Sequence, residues 1–302
     1  MTYLHNDVKA FEDAIMLTYK QIGLMPQAIE KDYYVTMLLQ LLAQEIPYIV
    51  FKSGTSLSKC HKVIQRFSED IDITIDTLLT QGQKKKVKQA IVNSANELDM
   101  TINNLEDTRS RRDYNRYSIN YNSVLPLTSH ELYPTVLLET SYTAISFPTV
   151  VLPVHSYIGN MLENESPNLL NNFKLSPFCM KVQSIERTLA DKIFAICDYY
   201  LQDNVTRHSR HLYDIYKLLP LVPLDDTFKN LILEVRNIRA TSPICPSANP
   251  NISISKLLRQ IVEKQSYKTD YDTLTTGLLD EKVSYTTAIT ALSEIIKSNI
   301  FE

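Results

Sequence analysis

The chain has no tryptophan, and glycine and cysteine are sparse, with five and four copies in 302 residues. So few glycines leave the backbone few places where a left-handed turn is free of steric cost, and a glycine between ordered segments marks a specific need. Cys60, Cys179, Cys197 and Cys245 form no CxxC pair, so neither a zinc motif nor a disulfide framework is indicated. No apolar run approaches the roughly 18 residues of a membrane-spanning helix, and no charged start leads into an apolar signal segment. A cytoplasmic protein is expected. A large excess of one charge is missing too: the net charge of −3 rules out attachment to nucleic acid through global charge and leaves only local basic patches to consider.

What is present is globular in composition, with 44% hydrophobic and 22% charged residues and enough chain for one large domain or two smaller ones. Two basic clusters stand out: Lys84, Lys85, Lys86 and Lys88 on one segment, and Arg109, Arg111, Arg112 and Arg116 on another. Residues 7–45 carry apolar residues at helical spacing, and IPYIVFK from Ile46 to Lys52 reads as a short strand. Residues 56–65 read as a helix. Ile71 to Ile75 alternates, with Asp70, Asp72 and Thr74 on one side and the isoleucines on the other. A helix over 84–98, strands over 114–122 and 135–144, and helices over 184–202 and 209–219 follow. The Pro-rich stretch 241–251 is a loop before a final helical hairpin or bundle. The pattern predicts a mixed α/β unit to about residue 155 and a mainly helical second half.

The stretch that carries chemistry is FKSGTSLSKCHKVIQRFSEDIDITI, from Phe51 to Ile75. A strand ends in Ser53-Gly54-Thr55-Ser56, a helix follows, and the next strand opens on Asp70-x-Asp72. Gly54 lets the backbone approach a phosphate, and Thr55 and Ser56 offer hydroxyls and amides where a helix begins. Asp70 and Asp72, on one face of a strand, suit Mg²⁺ ions that bridge those phosphates. Glycine turn, helix and Asp-x-Asp in this order resemble the DNA-polymerase-β-like nucleotidyltransferase superfamily.

Together with IEKDYYVTMLL (Ile29 to Leu39), ERTLADKIF (Glu186 to Phe194) and RHSRHLYDIYKL (Arg207 to Leu218), the stretch is similar to the AbiEii/AbiGii toxin nucleotidyltransferases of type IV toxin–antitoxin systems, a family tied to abortive infection. The likeness runs over roughly residues 25–220. It implies an α/β (α+β) fold: a polymerase-β-like core with a mixed sheet flanked by helices over residues 1–155, and a mainly helical C-terminal domain over 156–302 that contributes NTP-binding residues. It further implies an NTP donor, Mg²⁺, an RNA acceptor such as a tRNA 3′ end, and a cognate antitoxin. Position 53 is serine where many relatives carry a first glycine.

Other residues fit the same chemistry. Arg207, Arg210, His211 and Asp214 share one face if their helix extends back to 207, an arrangement in which the cations bind triphosphate and Asp214 orients Arg210 or His211. The resemblance carries these positions over as nucleotide-binding or catalytic, and gives Lys192 a place on the donor's phosphates; a salt bridge with Glu186 or Asp191 is its structural alternative. Glu139 sits where the superfamily often has a third carboxylate, to position or deprotonate the attacking hydroxyl, and Asp214 is the other candidate. Tyr33, Tyr34, Tyr199 and Tyr200 are candidates for base stacking or for packing. Two further functions compete: nucleotidylation of a small, antibiotic-type molecule, and a non-catalytic module that binds NTP or a partner.

Overall fold

The computed structural model describes residues 2–66, 68, 70–126 and 133–302. The chain forms two compact units that interleave along the sequence. The first comprises Met1–Thr55, Glu69–Ile145 and Thr149–Val182, and the second Ser56–Ser68, Ser146–Pro148 and Gln183–Glu302.

In the first unit, α1 (Val8–Ile22) starts where the Asp7 carboxylate accepts from the Ala10 amide and stops at Gly23, whose φ of 74° is the left-handed cap glycine takes without cost. α2 (Pro26–Glu45) opens on a proline and is buried nearly all round, a central helix and not an amphipathic surface one. The strands β1 (Ile49–Lys52), β2 (Ile71–Ile75), β3 (Thr101–Ile102), β4 (Tyr114–Asn120), β5 (Thr135–Ile145), β6 (Thr149–Val154) and β7 (Phe178–Gln183) form one sheet in the order β3-β4-β5-β2-β1-β7-β6. α3 (Ser53–Lys59), α4 (Gln81–Glu97), α5 (Tyr157–Glu165) and α6 (Pro167–Asn172) lie between them in sequence. β1/β2 and β4/β5 are antiparallel, while β2/β5 and β1/β7 are parallel, so the sheet is mixed. Ile71, Ile73, Ile75, Phe51, Leu138 and Ile119 are all buried and supply the apolar side of the sheet. The mixed α/β class expected from the sequence is the one observed.

The second unit is helical: α7 (Ile185–Leu201), α8 (Arg210–Leu218), α9 (Asp226–Arg239) and α10 (Ile254–Glu263), with a closing helix Thr290–Ser298. Leu189, Ile193, Leu212, Ile215, Leu258 and Leu292 are buried in its core, and Leu57 and Ile64 join them from the 56–68 segment. That segment is also tied by its backbone. Arg66 bridges to Leu279, the Asp280 amide donates to the Gln65 carbonyl at 3.0 Å, and the Gln65 amide donates to the Tyr213 hydroxyl at 2.9 Å.

Two local expectations need correction, and for three of the tyrosines the packing alternative holds. The helix read over 56–65 is α3, which begins at Ser53 and ends at Lys59; Lys62 then takes a left-handed φ of 56°, and residues 65 and 66 pair as extended chain. The helix carrying Asp214 does not reach back to Arg207. Arg207 is itself left-handed at φ 67°, and the Asp270 carboxylate takes the amides of Arg207 and Ser209 at 2.7 and 3.0 Å, which supports a turn in place of another helical one. Tyr33 and Tyr34 are buried, Tyr33 against Phe11 and Tyr34 stacked on Tyr121 at 4.2 Å, so neither offers a face to a base. Tyr199 likewise spends its face on His208, at 3.5 Å. Residues 149–154 and 178–183, where no strand is expected from the sequence, supply β6 and β7.

Candidate active site

The strand register assembles the acidic residues. Asp72 of β2 pairs with Glu139 of parallel β5 on one side and with Lys52 of antiparallel β1 on the other, and Glu139 in turn pairs with Arg116 of β4. Residues in register on adjacent strands point to the same face. One row of four side chains thus crosses four strands in the order Arg116, Glu139, Asp72, Lys52, a pair of carboxylates flanked by a cation at each end. Asp70 lies two residues before Asp72, just ahead of β2. All of these belong to the first unit.

The electrostatics follow from this placement. Burial, then the charge of Asp72 and, more weakly, that of Asp70 push the Glu139 carboxyl above its ordinary range. A hydrogen bond from Tyr114 and the Arg116 charge work against the rise. Arg116 Nε lies 3.4 Å from Glu139 Oε1. Among the described residues no three His, Cys, Asp or Glu side chains form a ready metal cage. The donor set nonetheless fits a hard divalent cation, because Mg²⁺ is commonly held by one or two carboxylates together with substrate phosphates instead of an all-protein cage. Carboxylates that repel one another on a half-exposed sheet face are what such a cation relieves.

The turn after β1 lies directly beyond Lys52. Ser53 opens α3 at φ 68°, left-handed in a residue that is not glycine, which explains why a glycine would serve at this position. Gly54, Thr55 and Ser56 are buried beside it.

The second unit gathers a different constellation. Asp214 of α8 is fully buried and takes Arg66 Nε at 2.7 Å, Arg66 Nη2 at 2.8 Å and Lys192 Nζ at 2.6 Å. Burial alone would raise its pKa, but the two cations outweigh that and hold the carboxyl well below the usual range. Lys192, also buried, is pushed down by desolvation against the pull of Asp214, with the charges of Arg66 and Arg210 adding to the fall. His211 is driven well below its ordinary value by burial and the Lys192 charge, so it is neutral near pH 7. Two cations, Arg66 and Lys192, thus meet one carboxylate, and the charge of Arg210 reaches Lys192, so positive charge is in excess.

The structure therefore brings Lys192, Arg210, His211 and Asp214 together and leaves Arg207 outside on its turn. Asp214 holds Arg66 and Lys192, in place of the expected Arg210 or His211. Lys192 does not pair with Glu186 or Asp191; Asp191 is taken by Arg187 and Arg239, at 3.1 and 3.3 Å. Arg66 escaped the sequence reading because its partner is 148 residues away and no local spacing announces it. Lys52 carried a weak signal: it ends a strand whose alternation puts it on the side opposite buried Phe51.

The basic clusters also meet. Lys84 Nζ of α4 lies 2.5 Å from Asp113 Oδ1, and Lys88 Nζ donates to the Thr108 carbonyl at 2.9 Å. α4 is thus held against the segment that bears Arg109, Arg111 and Arg112, which leads straight into β4 and Arg116.

A strand–turn–helix core with paired carboxylates beside a Ser-Gly-Thr turn is the arrangement expected of a nucleotidyltransferase, and the family match supplies that class. Residues 38–290 match the family described as nucleotidyl transferase AbiEii toxin, type IV TA system, and the chain belongs to that family. It is accordingly a nucleotidyltransferase whose family pairs toxin with antitoxin. In three dimensions it is similar to MenT4, a nucleotidyltransferase toxin of Mycobacterium tuberculosis H37Rv, with 15% sequence identity, a TM-score of 0.53 and coverage of 94% of this chain and 88% of that one. At that identity the likeness speaks for the fold. No curated protein matches in sequence. No helix among the described residues is long and apolar enough to cross a membrane.

Proposed function

We propose that the protein transfers a nucleoside monophosphate from an NTP to the 3′ end of an RNA, with tRNA the preferred acceptor, and releases pyrophosphate. The observation that carries this reading is the pairing of Asp72 with Glu139 in one register row, with Asp70 close enough for its charge to reach Glu139. Asp70 and Asp72 would hold Mg²⁺. Bound there, the ion would neutralise phosphate charge and lower the cost of ionising the attacking hydroxyl. Glu139, displaced upward in pKa, is suited to receive the hydroxyl proton, and it is a better third carboxylate than Asp214, which is fully buried and occupied by Arg66 and Lys192.

Ser53, Gly54, Thr55 and Ser56 are proposed to cradle donor phosphates through the backbone of their turn. Lys192 and Arg210, with Arg66 beside them and neutral His211 as a hydrogen-bonding neighbour, are proposed as the anion-attracting group of the second unit, and the surplus of cations over the single Asp214 is what a triphosphate would neutralise. Arg207, exposed on its turn, is a peripheral phosphate contact at most. The acceptor is read as RNA because Lys84 and Lys88 of α4 reach Asp113 and Thr108, at the two ends of the arginine-bearing segment 109–112, and that segment continues into the strand bearing Arg116. An unpaired 3′ end reaches such a surface without melting a duplex. NTP and tRNA coexist in the cytoplasm, the compartment this activity requires.

The test is incubation with each labelled NTP, Mg²⁺ and total RNA. Label in tRNA supports the reading, label in a small molecule points to an antibiotic-type transferase, and no incorporation under any condition points to a binding module.

A further inference from the structure

The four-residue row has a direction. On its β1 end, Lys52 is half-buried beside Asp72, makes no ion pair among the described residues, and is followed at once by the Ser53-Gly54 turn. On its β4 end, Arg116 is 55% exposed beside Glu139. Two residues before it on the same face, Tyr114 is 52% exposed, its ring set opposite the small Ser141 and its hydroxyl on Glu139. An exposed aromatic ring and a guanidinium two residues apart are the pair of groups that meets a single-stranded nucleic acid, one by stacking on a base and the other by charge on a phosphate.

We infer that this row orients the two substrates: the donor's triphosphate lies toward Lys52, and the acceptor's terminal nucleotide lies toward β4, stacked on Tyr114 with its phosphate on Arg116. The inference rests on the nucleotidyl-transfer reading and deepens it. The terminal hydroxyl oxygen of the acceptor forms a bond to the donor's α-phosphorus. The bond from that phosphorus to the α–β bridging oxygen breaks, and its electron pair leaves on pyrophosphate. The hydroxyl proton passes to Glu139. In such a displacement the attacking and leaving oxygens stand roughly in line on opposite sides of the phosphorus. Glu139 and Lys52 stand on opposite sides of Asp72, two strand spacings or about 10 Å apart, so the proton acceptor and the cation nearest the leaving group are set on the sides the chemistry requires. Arg116 has a second consequence. It partners Glu139 at 3.4 Å, and an acceptor phosphate drawn to the guanidinium would free that carboxylate as the hydroxyl arrives.

The test measures two affinities on the full chain: a non-hydrolysable NTP with Mg²⁺ by calorimetry, and a short single-stranded RNA with a free 3′ hydroxyl by fluorescence anisotropy. Lys52→Met should weaken the NTP analogue about tenfold and leave RNA affinity within about twofold. Tyr114→Ala and Arg116→Gln should weaken RNA about tenfold each and spare the NTP analogue, whereas Tyr114→Phe, which keeps the ring and loses the hydroxyl on Glu139, should keep RNA affinity. The altered side chains are exposed or half-exposed, and an unchanged unfolding midpoint verifies that each variant folds. Losses that fall on the opposite ligand, equal losses on both, or no loss on either overturn this inference while the transfer reading stands. Wild-type protein that binds the NTP analogue but not RNA removes the acceptor assignment, and wild-type protein that binds neither overturns the transfer reading and this inference together.

Discussion

Glu139 and Asp72 occupy the same rung of the parallel pair β2/β5, two carboxylates side by side in the middle of a seven-stranded sheet. A fold does not gather like charges for stability. Asp72 raises the pKa of Glu139, so the pair costs the folded state some free energy and is useful only when a cation or a proton arrives.

Asp72→Asn should accordingly abolish nucleotidyl transfer and leave the thermal midpoint unchanged or a few degrees higher, since a repulsion is removed and no packing is lost. Transfer at the wild-type rate in saturating Mg²⁺, measured with labelled NTP, would remove Asp72 from the metal site. Chelation of divalent ions should reproduce the loss in the wild-type protein and reverse on adding Mg²⁺ back.

Arg66→Ala leaves Asp214 buried with Lys192 as its remaining strong partner. Breaking a buried pair from one side costs about 3–5 kcal/mol, far above the effect of an exposed substitution. Urea denaturation should register this as a lower midpoint with a similar slope, and Arg66→Lys, which keeps the charge but not the two-pronged contact, should lose less. Equal stability of Arg66→Ala and wild type would mean that the triad is not closed in solution.

The same carboxylate sets a pH dependence. The pKa of Asp214 in the folded chain lies below its ordinary value of 3.8, so the folded state is favoured wherever the group is ionised in both states. This contribution is complete above about pH 4 and disappears as the pH falls through the depressed folded value. Stability of the wild type should therefore decline steeply below pH 4. In Asp214→Asn, already weakened, that part of the slope should be missing, and an identical acid limb in both proteins would assign the acid sensitivity to other carboxylates.

Ser53→Gly tests the turn ahead of α3. A non-glycine residue in the left-handed region carries strain on the order of 1–2 kcal/mol, partly offset because glycine frees the unfolded chain by roughly 0.5–1 kcal/mol. The variant should be as stable as wild type or more stable by about 1 kcal/mol. A clear loss of stability would show that the serine side chain makes contacts worth more than the strain.

The core of the first unit was open to sequence reasoning because its signals are local. The period-two alternation of Ile71 to Ile75 fixed both the strand and the face that carries Asp72, and a serine ahead of Ile185 marked the start of α7, where its hydroxyl accepts from the Arg187 amide. What failed depended on distant partners. Residues 60–65 have the composition of a helix, but Gln65 and Arg66 pair with residues 279 and 280, and that alternative outweighs weak helical propensity. Arg207 is turned out of the helix by Asp270, 63 residues on. β7 is short, and its alternation of buried Met180 and Val182 with more exposed neighbours becomes informative only once β1 is known to lie beside it. Glu139 could be proposed as a third carboxylate from its strand, yet its rung opposite Asp72 is a register, and register is a property of two strands that neither one announces.

The 56–68 segment has a consequence for synthesis. A ribosome releases Arg66 long before Asp214, its partner 148 positions later, and later still comes Leu279, to which its backbone is bridged. The contacts of the stretch joining β1 to β2 with Asp214 and Leu279 wait for those residues to emerge, and contacts of such long sequence separation form slowly. The strand bearing Asp72 is thus joined to a segment that closes against residues of the last third of the chain, so a prematurely terminated chain lacks the finished second unit. For a nucleotidyltransferase of a toxin family, the second unit is thereby completed only near the end of translation.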